Sequence, residues 1–112
     1  MKNAIIDAMT SGYWKVTTFN DNGTDKTADF GLYKFQFKTN FSVNAINGST
    51  VEKTGTWEAN ATEKTITSNF SNAAVPIILL NGTWQITNNS WTFVEATKST
   101  GSGVMTLRLD KL

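Results

Sequence analysis

The chain contains no cysteine, no histidine and a single proline among its 112 residues. Without cysteine it offers neither a disulfide nor a thiol nucleophile, and without histidine it lacks the commonest metal ligand and the usual general base. Net charge is also nearly absent, because ten basic residues balance nine acidic ones. This balance provides no excess of positive charge with which to bind nucleic acid or an anionic membrane surface. We therefore expect no nucleic-acid partner.

Long hydrophobic runs are missing too. The longest spans residues 73–80 and includes Pro76, whereas a membrane helix needs roughly 20 apolar residues. The sequence therefore predicts no transmembrane segment. The chain length fits one domain, residues 1–112, with a single hydrophobic core.

The composition bears on localisation. Charged residues make up only 17% of the chain, which is instead rich in Thr, Asn and Ser. That balance is typical of exported bacterial domains, so we expect the periplasm or the cell surface, although no export signal is visible in the first residues. A cytoplasmic protein of unusual composition is the alternative.

The most informative feature present is the tripeptide Gly-x-Trp, which occurs three times. The copies are Gly12-Tyr13-Trp14, Gly55-Thr56-Trp57 and Gly82-Thr83-Trp84. In a strand the glycine leaves room where backbones crowd, and the tryptophan two positions later points to the same face. Each copy therefore predicts the entry of a strand into a closed or nearly closed β-structure.

The hydrophobic pattern predicts one short helix followed by strands. The helix covers residues 2–9, and residues 71–80 are expected to form an edge, a loop or a short covering element because Pro76 cannot join a ladder. Asn47-Gly48 predicts a two-residue hairpin turn with positive φ at both positions. The predicted strands cover residues 13–19, 29–38, 41–46, 49–57, 65–70, 83–87, 91–94 and 103–109.

Seven or eight short strands in sequential hairpins predict an all-β fold. Such a meander must hide its edge strands, and closure into an up-and-down barrel is the simplest solution. A β-sandwich is the competing architecture. We favour the barrel because nothing in the sequence looks like a long crossing loop.

The order of these elements resembles the lipocalin family, and in particular small lipocalin-like domains of exported bacterial proteins. The resemblance depends on Gly12 and Trp14, which follow the helical segment and open the first strand, and on Arg108 in the last strand. It implies that the helical turn plugs one end of the barrel and that Arg108 packs on the Trp14 indole. The alternative is that Arg108 is a solvated strand residue, because parity places it on the face opposite Leu107 and Leu109. It also implies a binding site for a small apolar or amphipathic ligand inside the barrel.

The candidates for lining such a site alternate along the predicted strands. An eight-stranded barrel is just wide enough to be filled by side chains or to hold one small ligand, so both outcomes stay open. Gly55 is expected to leave space in the interior. Lys53 could anchor an acidic headgroup, or extend to solvent as strand-end lysines commonly do. The candidate cavity residues are Tyr33, Phe35, Phe37, Val51, Lys53, Trp57, Trp84 and Phe93.

The sequence predicts no catalytic, metal or cofactor site. Residues 21–25 carry oxygen ligands but lack the spacing and the bidentate glutamate of a calcium loop, so they are interpreted as a turn. The glutamates at 52, 58, 63 and 95 are scattered, whereas hydrolysis of a glycoside requires a facing carboxylate pair. We expect a monomeric, non-catalytic binding domain. The alternatives are a structural or interaction domain of the bacterial envelope with a filled core, and a carbohydrate-binding module with exposed Trp or Tyr side chains.

Overall fold

The computed structural model describes residues 4–101 and 103–112. Helix α1 (Ala4–Met9) comes first, and Lys2 and Asn3 of the predicted helix lie outside the described residues. Two 3₁₀ helices follow later, at Thr27–Phe30 and Ile77–Leu80. The strands are β1 (Trp14–Asp21), β2 (Thr24–Asp25), β3 (Tyr33–Phe37), β4 (Ser42–Asn47), β5 (Thr50–Asn60), β6 (Thr65–Asn69), β7 (Gly82–Asn89), β8 (Phe93–Thr100) and β9 (Gly103–Lys111).

Eight of these strands form a closed antiparallel barrel, which confirms the predicted fold class. The order around the barrel is β1-β3-β4-β5-β6-β7-β8-β9, and β9 pairs with β1 to close it. The short strand β2 lies outside this ring, where it pairs with the end of β1. Closure leaves no long edge strand open to another chain.

The join between β1 and β9 contains a bulge that keeps large side chains inside. The register shifts between Val16 and Thr18, so the strict alternation of faces is broken once. As a result Trp14, Val16 and Phe19 are all buried, whereas Thr18 is exposed. An unbroken period of two would have turned Phe19 towards solvent.

Two Asn-Gly pairs form different turns. Asn22 and Gly23 both have positive φ, at 52° and 90°, and connect β1 to β2 as a type I′ turn does. The second pair differs from the prediction, because Asn47 ends β4 and only Gly48, at φ 65°, is left-handed. The hairpin is present where predicted, but its loop is Gly48-Ser49.

The first 3₁₀ helix corrects the predicted strand at residues 29–38, of which only β3 is extended. Phe30 lies in this 3₁₀ helix and is fully buried, with its ring 4.9 Å from that of Phe19. The helix covers the gap between β1 and β3, which share the single pair Trp14–Phe35. Phe30 is out of phase with the alternating Tyr33, Phe35 and Phe37, and it is buried from a helical turn instead of from the strand.

The second 3₁₀ helix is the covering element expected around Pro76. Ile77 and Leu80 are buried against the core cluster, while Ile78 is exposed. It connects β6 to β7, so it lies at the end of the barrel opposite α1. Within the described residues, no helix is long and apolar enough to span a membrane.

Candidate functional site

The three Gly-x-Trp tryptophans share one structural role. Trp14, Trp57 and Trp84 are all buried, and each indole N–H donates to a main-chain carbonyl at 3.0 Å. A buried indole needs such an acceptor. The acceptors are the carbonyls of Met9, Lys38 and Leu80, which belong respectively to α1, the β3–β4 turn and the second 3₁₀ helix. Each tryptophan therefore ties a non-strand element to the barrel.

The barrel interior is almost completely filled. A small apolar cavity of about 40 Å³ remains. A water occupies about 30 Å³ in the liquid, whereas a cavity known to hold benzene is near 150 Å³. The interior therefore has no room for a ligand of that size in this conformation. The cavity is lined by Phe35, Phe37, Val43, Ile66, Ser68, Phe70, Leu80, Trp84, Val94, Ala96, Leu107 and Leu109.

The expected space at Gly55 is occupied, which corrects the sequence-based expectation. A Cβ placed on Gly55 would lie 2.4 Å from the Asn69 carbonyl oxygen and 2.8 Å from the Phe70 ring. Phe70 is buried, with only 1% of its surface exposed. The glycine thus permits close packing of the neighbouring strand and aromatic ring instead of opening a ligand site.

Half of the predicted cavity residues point into the core. Phe35, Phe37 and Trp84 line the small cavity. Trp57 packs against Phe37 with ring centroids 5.2 Å apart in an edge-to-face arrangement. Tyr33 is partly buried, and its hydroxyl donates to the Glu52 carboxylate at 2.7 Å, which raises the pKa of the tyrosine.

Three further candidates do not contact the cavity. Val51 is half exposed near the start of β5. Lys53 is partly exposed and lies outside the lining. Phe93 lies under the Arg108 guanidinium, 4.4 Å from its ring centroid. Lys98 on β8 is partly buried: its ammonium donates to the Asn81 carbonyl at 2.5 Å, and burial lowers its pKa.

Arg108 does not stack on Trp14, and this part of the lipocalin comparison is wrong for the chain. Lys111 takes that place, with its ammonium 5.1 Å from the indole, because Lys111 pairs directly with Trp14. Arg108 falls on the opposite face of β9, where it holds Asp110 at 2.9 and 3.1 Å. That bidentate contact lowers the pKa of Asp110.

A larger concave surface lies beside α1, where β5 and β6 meet the β3–β4 turn. Its volume is about 620 Å³, and it is open to solvent. We call this surface the groove; its lining among the described residues is Ile6, Asn40, Phe41, Thr56, Trp57, Glu58, Ala59, Thr67, Ser68 and Asn69. Apolar side chains from α1, β5 and the turn meet polar side chains from β5 and β6, so the groove is amphipathic.

Phe41 is the most unusual residue of the groove. Its φ is 66°, a left-handed conformation that is rare for a bulky side chain and costs roughly 1–2 kcal/mol. Its ring is 45% exposed although it lies 5.9 Å from that of Trp57. A strained backbone that presents a half-exposed aromatic ring is a feature found at functional sites.

The turn that carries Phe41 is held by main-chain and side-chain hydrogen bonds. The Phe41 N–H donates to the Lys38 carbonyl at 2.9 Å, and the Phe41 carbonyl accepts from the Trp57 N–H at 3.0 Å. The Asn40 side-chain oxygen accepts from the Ser42 N–H at 3.0 Å. These bonds, together with the Trp57 indole, fix the conformation that sequence reasoning missed.

The polar wall of the groove comes from facing positions of two strands. Thr56 pairs with Asn69, and Glu58 pairs with Thr67. The Thr67 hydroxyl already bonds to that of Thr83 at 2.9 Å. Within the described chain, no hydrogen bond joins the side chains of Thr56, Glu58 or Asn69 to the protein. Their polar atoms are therefore available to a ligand.

No group of three or more acidic side chains is placed to hold a metal ion in the described parts of the chain. Glu58 is the one ionisable side chain in the groove lining of those parts. Trp91 is exposed at 59%, but the other three tryptophans are buried, so they form no exposed row.

The protein is a closed eight-stranded antiparallel barrel with a helix at one end and a groove beside that helix. Among solved structures, it is similar to a DUF4847 family protein from Bacteroides vulgatus ATCC 8482. The TM-score is 0.66 at 14% identity, over 95% of this chain and 96% of that one. Such a likeness concerns the fold alone. No protein-family model matches the chain, and no curated protein matches it significantly.

Proposed function

We propose that the protein is a non-catalytic binding domain that takes a small amphipathic molecule in the groove, not in the barrel interior. The observation that carries the proposal is Phe41, whose ring is half exposed on the groove while its backbone is held in a strained conformation. A strained, exposed aromatic side chain contributes less to stability than a relaxed and buried one. A bulky aromatic residue at this position is explained if its ring contacts a ligand.

The sizes of the two spaces support the groove. The interior cavity of about 40 Å³ accommodates little more than one water, whereas the groove is an open concavity of about 620 Å³. Its lining combines apolar side chains such as Ile6 and Ala59 with the polar wall on β5 and β6. This combination suits a molecule with an apolar part and a polar head.

The absence of catalysis and the location outside the cytoplasm belong to the same proposal. Glycoside hydrolysis requires a pair of carboxyl groups, and Glu58 is the one carboxyl side chain in the described groove lining. The low fraction of charged residues and the abundance of Thr and Asn support an exported bacterial domain.

A filled-core structural domain of the envelope is the second candidate. The nearly full interior favours it over a carrier that encloses its ligand. It differs from the first candidate in predicting no saturable small-molecule binding at the groove.

The test compares two glycine substitutions at left-handed positions. Phe41→Gly removes the exposed ring and relieves the backbone strain, while Lys64→Gly relieves a φ of 56° in the β5–β6 turn, outside the groove. The probes are octanoate, octyl glucoside and octyltrimethylammonium, each kept below its critical micelle concentration. Binding is measured from the changes in the backbone amide chemical shifts of the protein during titration. We expect saturable shifts at groove residues for at least one probe, weakened about tenfold or more by Phe41→Gly, which corresponds to about 1.4 kcal/mol.

Lys64→Gly should leave the affinity unchanged. Equal affinities of wild type and Phe41→Gly would contradict the groove as the site. Chemical-shift changes confined to cavity residues would show that the ligand binds in the barrel interior. If no probe gives saturable changes, the structural-domain candidate is favoured instead.

A further inference from the structure

We infer that the polar head bound by the groove is uncharged and carries several hydroxyl groups, as in a glycoside. This inference rests on the proposed function and names the ligand class of the same site. It follows from the charge, the free hydrogen-bonding groups and the aromatic surface of the groove.

The charge of the lining excludes an anionic head. Glu58, an acidic residue, is the one ionisable side chain in the described lining. No lysine or arginine contributes to that lining. Among the described lining residues, a carboxylate or sulfate head would therefore meet the like charge of Glu58 with no cationic side chain to offset it. Fatty acids therefore fit this groove poorly.

The polar wall has the geometry needed for neighbouring hydroxyls. Thr56 and Asn69 face each other across β5 and β6, and Glu58 lies two positions along β5 on the same outward face. Directly paired side chains start about 5 Å apart, and positions two along a strand are about 7 Å apart. A hydroxyl, an amide and a carboxylate at these spacings can both donate to and accept from the hydroxyls of one ring.

Asn40 adds a donor at the edge of this wall. Its side-chain oxygen accepts from the Ser42 N–H at 3.0 Å and from the Ser42 hydroxyl at 2.7 Å. These contacts orient the amide, so that its NH₂ group remains free to donate to a ligand. A hydroxyl can accept from this group, whereas an ammonium head cannot.

The aromatic surface does not favour a cationic head. A cation binds best over an open indole face. Trp57 is 2% exposed and its ring is packed between those of Phe37 and Phe41. The exposed ring is that of Phe41, which can pack on the apolar C–H face of a sugar or on an alkyl chain. A neutral sugar head thus uses both Phe41 and the polar wall, whereas an ammonium head finds its one charged partner in Glu58.

The experiment compares the three octyl probes, which share one tail and differ in the head. We expect octyl glucoside to bind more tightly than octyltrimethylammonium, and octanoate to bind weakest. Thr56→Val removes a hydroxyl with little change of shape. It should weaken the glucoside about fivefold, the usual effect of losing one hydrogen bond, and leave the ammonium probe unchanged.

Glu58→Gln keeps an acceptor but removes the charge, and Glu63→Gln is its matched control in the β5–β6 turn outside the groove. Glu58→Gln should improve octanoate binding and retain most glucoside binding, whereas Glu63→Gln should change neither. If the ammonium probe binds most tightly and Glu58→Gln abolishes that binding, the glycoside inference is overturned and the proposed function stays intact. Tightest binding of octanoate at the groove would do the same, and failure of all three probes would remove the proposed function as well.

Discussion

Phe70 offers the sharpest test of the filled interior. Its ring occupies the space over Gly55 and forms part of the wall of the small cavity. In Phe70→Ala the loss of the ring opens on the order of 100 Å³, and at about 24 cal/mol per Å³ the cavity contributes about 2.4 kcal/mol of destabilisation. With the transfer term of the lost atoms, we expect a total of about 3–5 kcal/mol.

The enlarged space gives a second readout. Added to the existing 40 Å³, it brings the interior to about the size of an apolar cavity that binds benzene. The loss of about 3–5 kcal/mol corresponds to a melting temperature roughly 12–20 °C below that of wild type, at about 4 °C per kcal/mol for a chain of this length. Benzene should restore part of that loss in the variant and have no effect on the wild type, as measured by calorimetry and by denaturant unfolding.

Phe93→Ala is the matched control, because Phe93 lies outside the cavity under Arg108. It should cost less than Phe70→Ala and show no response to benzene. A loss below about 1.5 kcal/mol for Phe70→Ala would show that the site collapses or that the ring is not packed as described, and the argument for a filled interior would fail. Benzene stabilising the wild type would refute it as well.

Two further predictions concern single residues. Gly55→Ala should destabilise the fold, because its Cβ would lie 2.4 Å from a backbone oxygen that can move only with its strand; unchanged unfolding in urea would contradict that packing. Asp110 has a pKa lowered mainly by its hydrogen bond from Arg108, so its contribution to stability is present above its unfolded pKa and is lost as pH falls through the folded value. Asp110→Asn should therefore flatten the decline in stability below about pH 4, and an acid limb identical to that of wild type would exclude this pair as a contributor.

The barrel itself could be predicted because its strongest signals are local. Tyr33, Phe35 and Phe37 alternate within one strand, and β3 is found there. The prediction began this strand too early, at residue 29, where Phe30 is buried from a 3₁₀ turn. It also gave too short a strand at residues 91–94, because β8 continues to Thr100 through small and polar side chains that carry little hydrophobic pattern. Sequence patterns of this kind detect apolar faces more readily than strand ends.

The groove could not be predicted, and the reason is geometric. Thr56 and Asn69 become neighbours only through the register between β5 and β6, which depends on how the whole barrel is staggered. Phe41 gave no signal, since a bulky residue is not expected at positive φ. The position of Arg108 was open to prediction by parity, because its alternation with Leu107 and Leu109 places it on the outer face.

The three indole hydrogen bonds have a consequence for how the protein can be observed. Each hydrogen bond joins a fluorescent tryptophan side chain to a different element outside the strands. These elements are α1, the β3–β4 turn and the second 3₁₀ helix. Local opening of any of these elements wets its own tryptophan before the barrel unfolds. Replacing the tryptophans one at a time with phenylalanine would therefore separate the emission of the three elements. The chain carries a built-in reporter for each of them, including the turn that presents Phe41.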